Sequence, residues 1–331
     1  METKTFLPSL EEKVAFLSRP ENYPYSTRTV GKKQTHMSWV FLTDTHAWKL
    51  KKPVRFDHID FSTPEARRRD SEAEIRLNGR LAPNVYQTVV PLTLGPGRRI
   101  QLNRIGIPVD WLVRMRRLPA GRMLDQAIAD RTVSKEDLTN VGTLLTNFYL
   151  KAAPIPMTGQ EYRARLTKEL EISKYELMQE ENGVPHQLVT PVLDRSLRVI
   201  AQHPEIFDDR VQAGKIIEGH GDLRPEHICL ERPPVIIDCL EFDRDLRILD
   251  PASELTFLAL ECERLGAPDT GAFIFNVYRE QTGDAPSESL LEFYRSYHAS
   301  IRARLAIWHL KDHDDVAKWT TKAKTYLRLA A

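Results

Sequence analysis

Two carboxylates in this 331-residue chain stand where they could share one reaction. The stretch His220-Gly-Asp-Leu-Arg-Pro-Glu-His227 puts Asp222 on a loop ahead of the short apolar run Ile228-Cys-Leu. After Pro233-Pro234 a second run, Val235-Ile-Ile, ends in Asp238. A β-hairpin would bring both acids to one mouth. One carboxylate accepting a proton beside another holding a metal is the pairing that phosphoryl transfer uses.

These residues resemble the aminoglycoside phosphotransferase family, whose fold is protein-kinase-like. His220–His227 matches that family's HGDxxxxN loop, and Ile237-Asp238 matches the aspartate that follows it. Asp250-Pro-Ala-Ser-Glu-Leu matches the DPAxDL helix start, with Glu254 in place of the second Asp. The likeness is strong over 218–258 and weak across the rest of 30–310. It implies Asp222 as the base accepting the proton of an acceptor hydroxyl. It implies Asp238 as the Mg2+ ligand bridging ATP phosphates, His220 as a support of the loop, and Asp250 as a cap or anchor. His227 departs from the pattern, because the family has there the Asn that gives the metal an oxygen. Magnesium strongly prefers oxygen ligands. Three readings therefore stay open for His227: it braces the loop and one metal binds, Mn2+ takes the place of magnesium, or the enzyme is impaired. Glu241, three residues after Asp238, offers an alternative oxygen.

By the same resemblance the nucleotide falls to the N-terminal half. Ala47-Trp-Lys49 is similar to the family's AxK strand, and period-two alternation turns Lys51 the same way. Glu74, on the next helix, is the expected partner of that lysine, with Glu72 in reserve. A GxGxxG loop is absent. Gly31 and Gln34-Thr-His-Met-Ser38 are expected to form the turn before Trp39, covering phosphates with backbone N–H groups and the hydroxyl of Ser38 or Thr35. Met115, in the link Val113–Pro119, is expected to touch adenine.

The elements needed to position these groups are legible in outline. Ser9 and Glu12 have capping-box spacing ahead of a short helix that Pro20 stops. Ser38-Trp-Val-Phe-Leu-Thr and His46-Ala-Trp-Lys-Leu-Lys read as strands joined by a hairpin turn at Thr43-Asp-Thr. Residues 64–81 read as a helix with Ile75, Leu77 and Leu81 inward and Arg67, Arg68 and Arg69 outward. Val85–Leu94 and Ile107–Arg116 are β-like. Beyond Leu118-Pro119, helices are expected at Ser134–Ala152, Glu161–Gln179 and Pro191–His203, then from Ser253 onward. The expectation is an α+β, bilobal, kinase-like fold. Its N-terminal nucleotide-binding lobe spans 1–117, and a mainly helical lobe with the catalytic loop and acceptor site spans 118–331.

Composition narrows the function. With 47 Lys+Arg against 46 Asp+Glu, the net charge of +1 gives no electrostatic case for a nucleic-acid binder. Three scattered cysteines make neither a disulfide framework nor a zinc module, and fit a reducing compartment. No stretch offers 18 consecutive apolar residues, so a cytoplasmic location is expected. The expected activity is ATP- and Mg2+-dependent transfer of phosphate to a hydroxyl of a small molecule. Glu241, Asp243 and Asp245 either attract a cationic acceptor or form a solvated loop. A nucleotide- or partner-binding protein without turnover is the alternative, supported by His227 and the missing Gly-rich loop. His309 and His313 have metal-gripping spacing but sit among charged residues, which reads as a solvated face. Phe293, Tyr294, Tyr297 and Trp308 read as core.

Overall fold

The computed structural model describes residues 7–56, 59–311 and 315–330. The chain divides into two compact units, one of Met1–Arg122 with Val235–Arg244 and the other of Met123–Pro234 with Asp245–Ala331.

The first unit opens with α1 (Leu10–Leu17), whose capping box is formed as its spacing requires. The Ser9 hydroxyl accepts from the Glu12 N–H, and the Glu12 carboxylate accepts from the Ser9 N–H. Strands β1 (Gly31–Gln34), β2 (Ser38–Leu42) and β3 (His46–Lys51) follow. Gly31 therefore lies in a strand, and only residues 35–37 make the turn. A two-residue ladder, β4 (Arg55–Phe56) with β5 (Ile59–Asp60), precedes α2 (Pro64–Asn78). Then come β6 (Tyr86–Leu94), β7 (Ile100–Leu102) and β8 (Ile107–Arg116). The six long strands form one antiparallel sheet in the order β1-β2-β3-β8-β6-β7.

Alternation along β3 sorts its side chains onto two faces. Trp48 and Leu50 enter an apolar cluster with Phe41, Leu17 and Tyr23. Lys49 and Lys51 turn to the opposite face and meet acidic residues of α2. On that helix Arg67, Asp70 and Glu74 share one side, since they recur at the i, i+3, i+7 positions of a 3.6-residue turn. Arg67 is consequently buried rather than exposed. Its guanidinium grips Asp110 of β8 with bonds of 2.7 and 2.9 Å, and Lys13 of α1 reaches the same carboxylate at 2.9 Å. A run of three arginines looks solvated in sequence, but its first member is an internal strut.

The second unit is mainly helical: α3 (Leu124–Ala129), α4 (Lys135–Lys151), α5 (Gly159–Leu177), α6 (His186–Gln202), α7 (Glu205–Gln212), α8 (Pro251–Arg264), α9 (Pro268–Thr282), α10 (Glu288–Trp308) and α11 (Val316–Leu329). Helix α6 begins five residues before Pro191, which sits inside it. Helix α8 is buried along nearly its whole circumference, the pattern of a central helix. Phe293 and Tyr294 belong to the core, whereas Trp308 is partly exposed under the Arg304 guanidinium. His309 stacks on Trp319, and His313 lies outside the described residues. Among the described residues no helix is long and apolar enough to cross a membrane.

Candidate active site

In the first unit a buried lysine, Lys51, and a largely covered one, Lys49, share one glutamate. Lys49 Nζ lies 2.8 Å from Glu74 Oε1 and 2.9 Å from Asp238 Oδ1. Lys51 Nζ lies 2.8 Å from the other Glu74 oxygen, 2.6 Å from Asp70 Oδ2, and in contact with Glu241 Oε1. Glu74 is fully buried, while the Asp238 side chain is 46% exposed. Burial pulls the Lys49 pKa down, but Asp238, Glu74 and Glu241 more than reverse this and hold it well above the ordinary lysine value. The same opposition raises Lys51, with Glu241 its strongest acidic neighbour. Both ammonium groups are thus charged at neutral pH.

The Asp238 backbone is left-handed, with φ of 62°. That region costs a side-chain-bearing residue on the order of 1–2 kcal/mol, and surrounding contacts must hold it. Here the Asp238 N–H donates to the Tyr86 hydroxyl at 3.1 Å, and the Cys239 N–H donates to Asn78 Oδ1 at 2.9 Å. Arg80 adds a contact to Cys239 Sγ. Sequence reasoning did not find Tyr86, Asn78 or Arg80. Asp70 and Asn78 had a findable signal, since they sit one turn either side of Glu74.

Two other residues expected at the nucleotide lie on the strands flanking β3, Ser38 in register with Lys51 and Met115 with Ala47. Ser38 is buried at the start of β2, and its N–H donates to Thr35 Oγ1 at 2.9 Å. The Thr35 hydroxyl in turn donates to the Ser38 carbonyl, closing the turn. Met115 is buried near the end of β8, in register with Ala47 on one side and Tyr86 on the other.

The second unit holds the Asp222 loop. A short antiparallel pair, Ile217–Glu218 with Ile248–Leu249, ties its entry to the start of α8. Glu254, buried on that helix, accepts hydrogen bonds from the backbone N–H groups of His220 at 2.9 Å and Gly221 at 2.6 Å, and from the Tyr149 hydroxyl at 2.8 Å. Asp250 caps α8 through the Ala252 N–H and is gripped bidentately by Arg210. Within the loop, His227 Nδ1 donates to the Asp222 carbonyl at 2.8 Å, and its Nε2 accepts from Arg224 at 2.9 Å. Arg224 also donates to Asp222 Oδ2 at 3.0 Å. His220 accepts from the Asp222 N–H at 3.3 Å. Burial raises the Asp222 pKa, but the Arg224 and Arg302 guanidinium groups outweigh it, so the carboxyl stays below its ordinary value and ionised at neutral pH.

Solved structures share this arrangement of elements. A choline/ethanolamine kinase family protein from Mesorhizobium loti aligns with a TM-score of 0.58, covering 97% of this chain and 93% of its own at 14% identity. The choline kinase LicA from Streptococcus pneumoniae aligns with a TM-score of 0.57, covering 97% and 99% at 12% identity. This chain has the protein-kinase-like fold. An aminoglycoside phosphotransferase in ternary complex with AMP-PNP and hygromycin B is also similar, with a TM-score of 0.54, 96% and 98% coverage and 10% identity. No family model matches the sequence. An uncharacterized protein of Mycobacterium tuberculosis is 29% identical over 279 residues, which are 82% of this chain and 54% of that protein. A Mycobacterium bovis protein matches equally. The chain thus spans about half the length of the curated relatives it matches.

Within the shared fold, each unit brings together some of the residues singled out in the sequence. Lys49, Lys51, Glu74, Asp238 and Glu241 form one connected group in the first unit. Asp222, His220 and His227 form another in the second. Among the described residues no three His, Cys, Asp or Glu side chains converge as a protein-only metal site.

Proposed function

We propose that the chain is an ATP- and Mg2+-dependent phosphotransferase that moves the γ-phosphate to a hydroxyl of a small molecule. The observation that carries this reading is the Lys49 ammonium shared by Glu74 and Asp238. A cation fixed by a buried glutamate beside a half-exposed aspartate suits the holding of phosphates and their metal. In this reading Lys49 binds the α/β-phosphates, and Glu74 positions Lys49. Lys51 positions Glu74 from behind, rather than contacting the nucleotide as the sequence alone suggested.

The donor set fits magnesium. Asp70, Glu74, Asp238 and Glu241 give four carboxylates around two lysines, an excess equal to the charge of one divalent cation. Mg2+ usually takes one or two protein carboxylates and completes its shell with water and substrate phosphates. Asp238 is the exposed member and the proposed ligand. When bound, the ion neutralises charge developing on the transferred phosphoryl. His227 is assigned to bracing instead, because its two nitrogens already serve the Asp222 carbonyl and Arg224. Ionised Asp222 then accepts the acceptor's hydroxyl proton.

A second reading, a kinase-fold protein that binds without turnover, is favoured by the absence of the Asn at position 227. Two variants separate them. Asp238→Ala should abolish metal-dependent ATP binding in calorimetry. Asp222→Asn should leave ATP affinity within about threefold of the parent and remove transfer, because a base acting in the transition state lowers rate without matching loss of ground-state affinity. If the parent binds ATP with Mg2+ but consumes none with any hydroxylated acceptor, the second reading stands.

A further inference from the structure

Beside Asp222 the described residues of the second unit carry more positive charge than their acids balance. Arg224, Arg264, Arg302 and Lys322 face three carboxylates, Asp222, Glu226 and Glu261. Glu261 is fully buried and already heavily used: Arg264 Nε lies at 2.8 Å, Arg302 Nε at 3.1 Å and the Tyr326 hydroxyl at 2.7 Å. Arg264 also takes Glu226 at 3.1 Å, and Arg224 takes Asp222 at 3.0 Å. Arg302 bridges the two groups, with Nη1 4.0 Å from Asp222 Oδ1.

Lys322 is the cation left over. It stands on α11 one turn before Tyr326, on the face that reaches Glu261 and Arg302. It is partly buried, with its ammonium 5.4 Å from the Trp319 ring centre, and it makes no ion pair among the described residues. Burial lowers its pKa, and Arg302, Arg264 and Arg224 lower it further, offset only in part by Glu261. A half-buried cation in the field of three arginines, with only an indole ring beside its ammonium, is costly unless an anion joins it.

We infer that Lys322 and Arg302 bind an anionic group, phosphate or carboxylate, fixed on the acceptor whose hydroxyl Asp222 deprotonates. This rests on the phosphotransferase reading and names its acceptor class as an anionic hydroxylated small molecule. The acceptor oxygen bonds to the γ-phosphorus, the bond from that phosphorus to the β–γ bridging oxygen breaks to leave ADP, and the hydroxyl proton goes to Asp222. Of the acidic residues that could favour a cationic acceptor, Glu241 is held by the buried Lys51 and Asp245 pairs with Arg165.

The test uses inorganic phosphate, glycerol 3-phosphate and glycerate, with glycerol and choline as uncharged and cationic controls. Phosphate should stabilise the parent in thermal unfolding. Lys322→Gln should weaken phosphate binding at least tenfold while leaving ATP·Mg2+ affinity within twofold, and Lys322→Arg should restore it, which excludes a folding defect. Glycerol 3-phosphate or glycerate should raise ADP release above the level seen with glycerol or choline. Phosphate binding that is absent, or equal in Lys322→Gln and parent, overturns the proposal. Equal loss of phosphate and ATP·Mg2+ binding in Lys322→Gln also overturns it, because the anion would then be the nucleotide's own phosphate. Lys322-dependent phosphate binding in a parent that does not bind ATP·Mg2+ overturns the acceptor assignment together with the phosphotransferase reading, and leaves the anion site alone standing.

Discussion

His227 donates a hydrogen bond from Nδ1 to the Asp222 carbonyl and accepts one from Arg224 at Nε2, so the imidazole spans two residues of its own loop. An asparagine there carries a shorter amide and can replace one of those bonds, not both. His227→Asn is therefore expected to lower stability by about 1–2 kcal/mol in urea unfolding, the usual effect of losing a hydrogen bond and leaving its partner short. It should also slow transfer while ATP affinity holds. An Asn variant that equals the parent at every Mg2+ concentration would contradict the bracing role. Asp222, Asp238 and Lys49 were legible in the sequence because their motifs are local and their chemistry is specific. Tyr86 was not, because its role depends on where a strand end meets residue 238, which no local pattern records.

Strand β3 and helix α2 meet through two different periods, two along the strand and 3.6 along the helix. Lys49 and Lys51 are thereby set against Glu74 and Asp70, one turn apart. Alternation predicted that both lysines point the same way. It did not predict that the second would be sealed in, because burial depends on the helix packed above it. The same packing turned Arg67 inward. Removing a partner from a buried charge network typically costs 3–5 kcal/mol, since the remaining charges lose compensation. Lys51→Met should thus destabilise the protein by about 3–5 kcal/mol in chemical denaturation, well beyond an exposed Lys→Met change. A loss under 1 kcal/mol would show that Asp70, Glu74 and Glu241 do not depend on it. Pro191 marks another limit of local reading: helix α6 carries it in its interior, where a proline was expected to begin the helix.

The stability of the whole chain carries a proton signature from His298. Its ring stacks on Phe257 and hydrogen-bonds Ser253, and burial drives its pKa down to about 3. The unfolded chain titrates that imidazole near 6.5, so between about 6.5 and 3 the unfolded state holds a proton that the native state refuses. Stability rises with pH across that window and is lost as the pH falls through it, by up to about 1.4 kcal/mol per pH unit for one proton. His298→Gln should flatten this part of the curve of unfolding free energy against pH; an unchanged slope would place the acid sensitivity elsewhere.

The division of the chain sets the timing of its assembly as well. Lys49 is joined to Asp238 across 189 residues, and Lys51 to Glu241 across 190. At roughly 5–20 residues per second on the ribosome, that separation amounts to about 10–40 s. During that interval the emerging sheet and helix hold the two lysines against Asp70 and Glu74 alone, in even charge balance. The acidic surplus arrives only when residues 235–244 are added. A nascent chain therefore keeps its first unit electrically neutral at this point, and unable to assemble the group assigned to the metal, until residues 235–244 emerge. It acquires that capacity only after the whole Asp222 loop has been made.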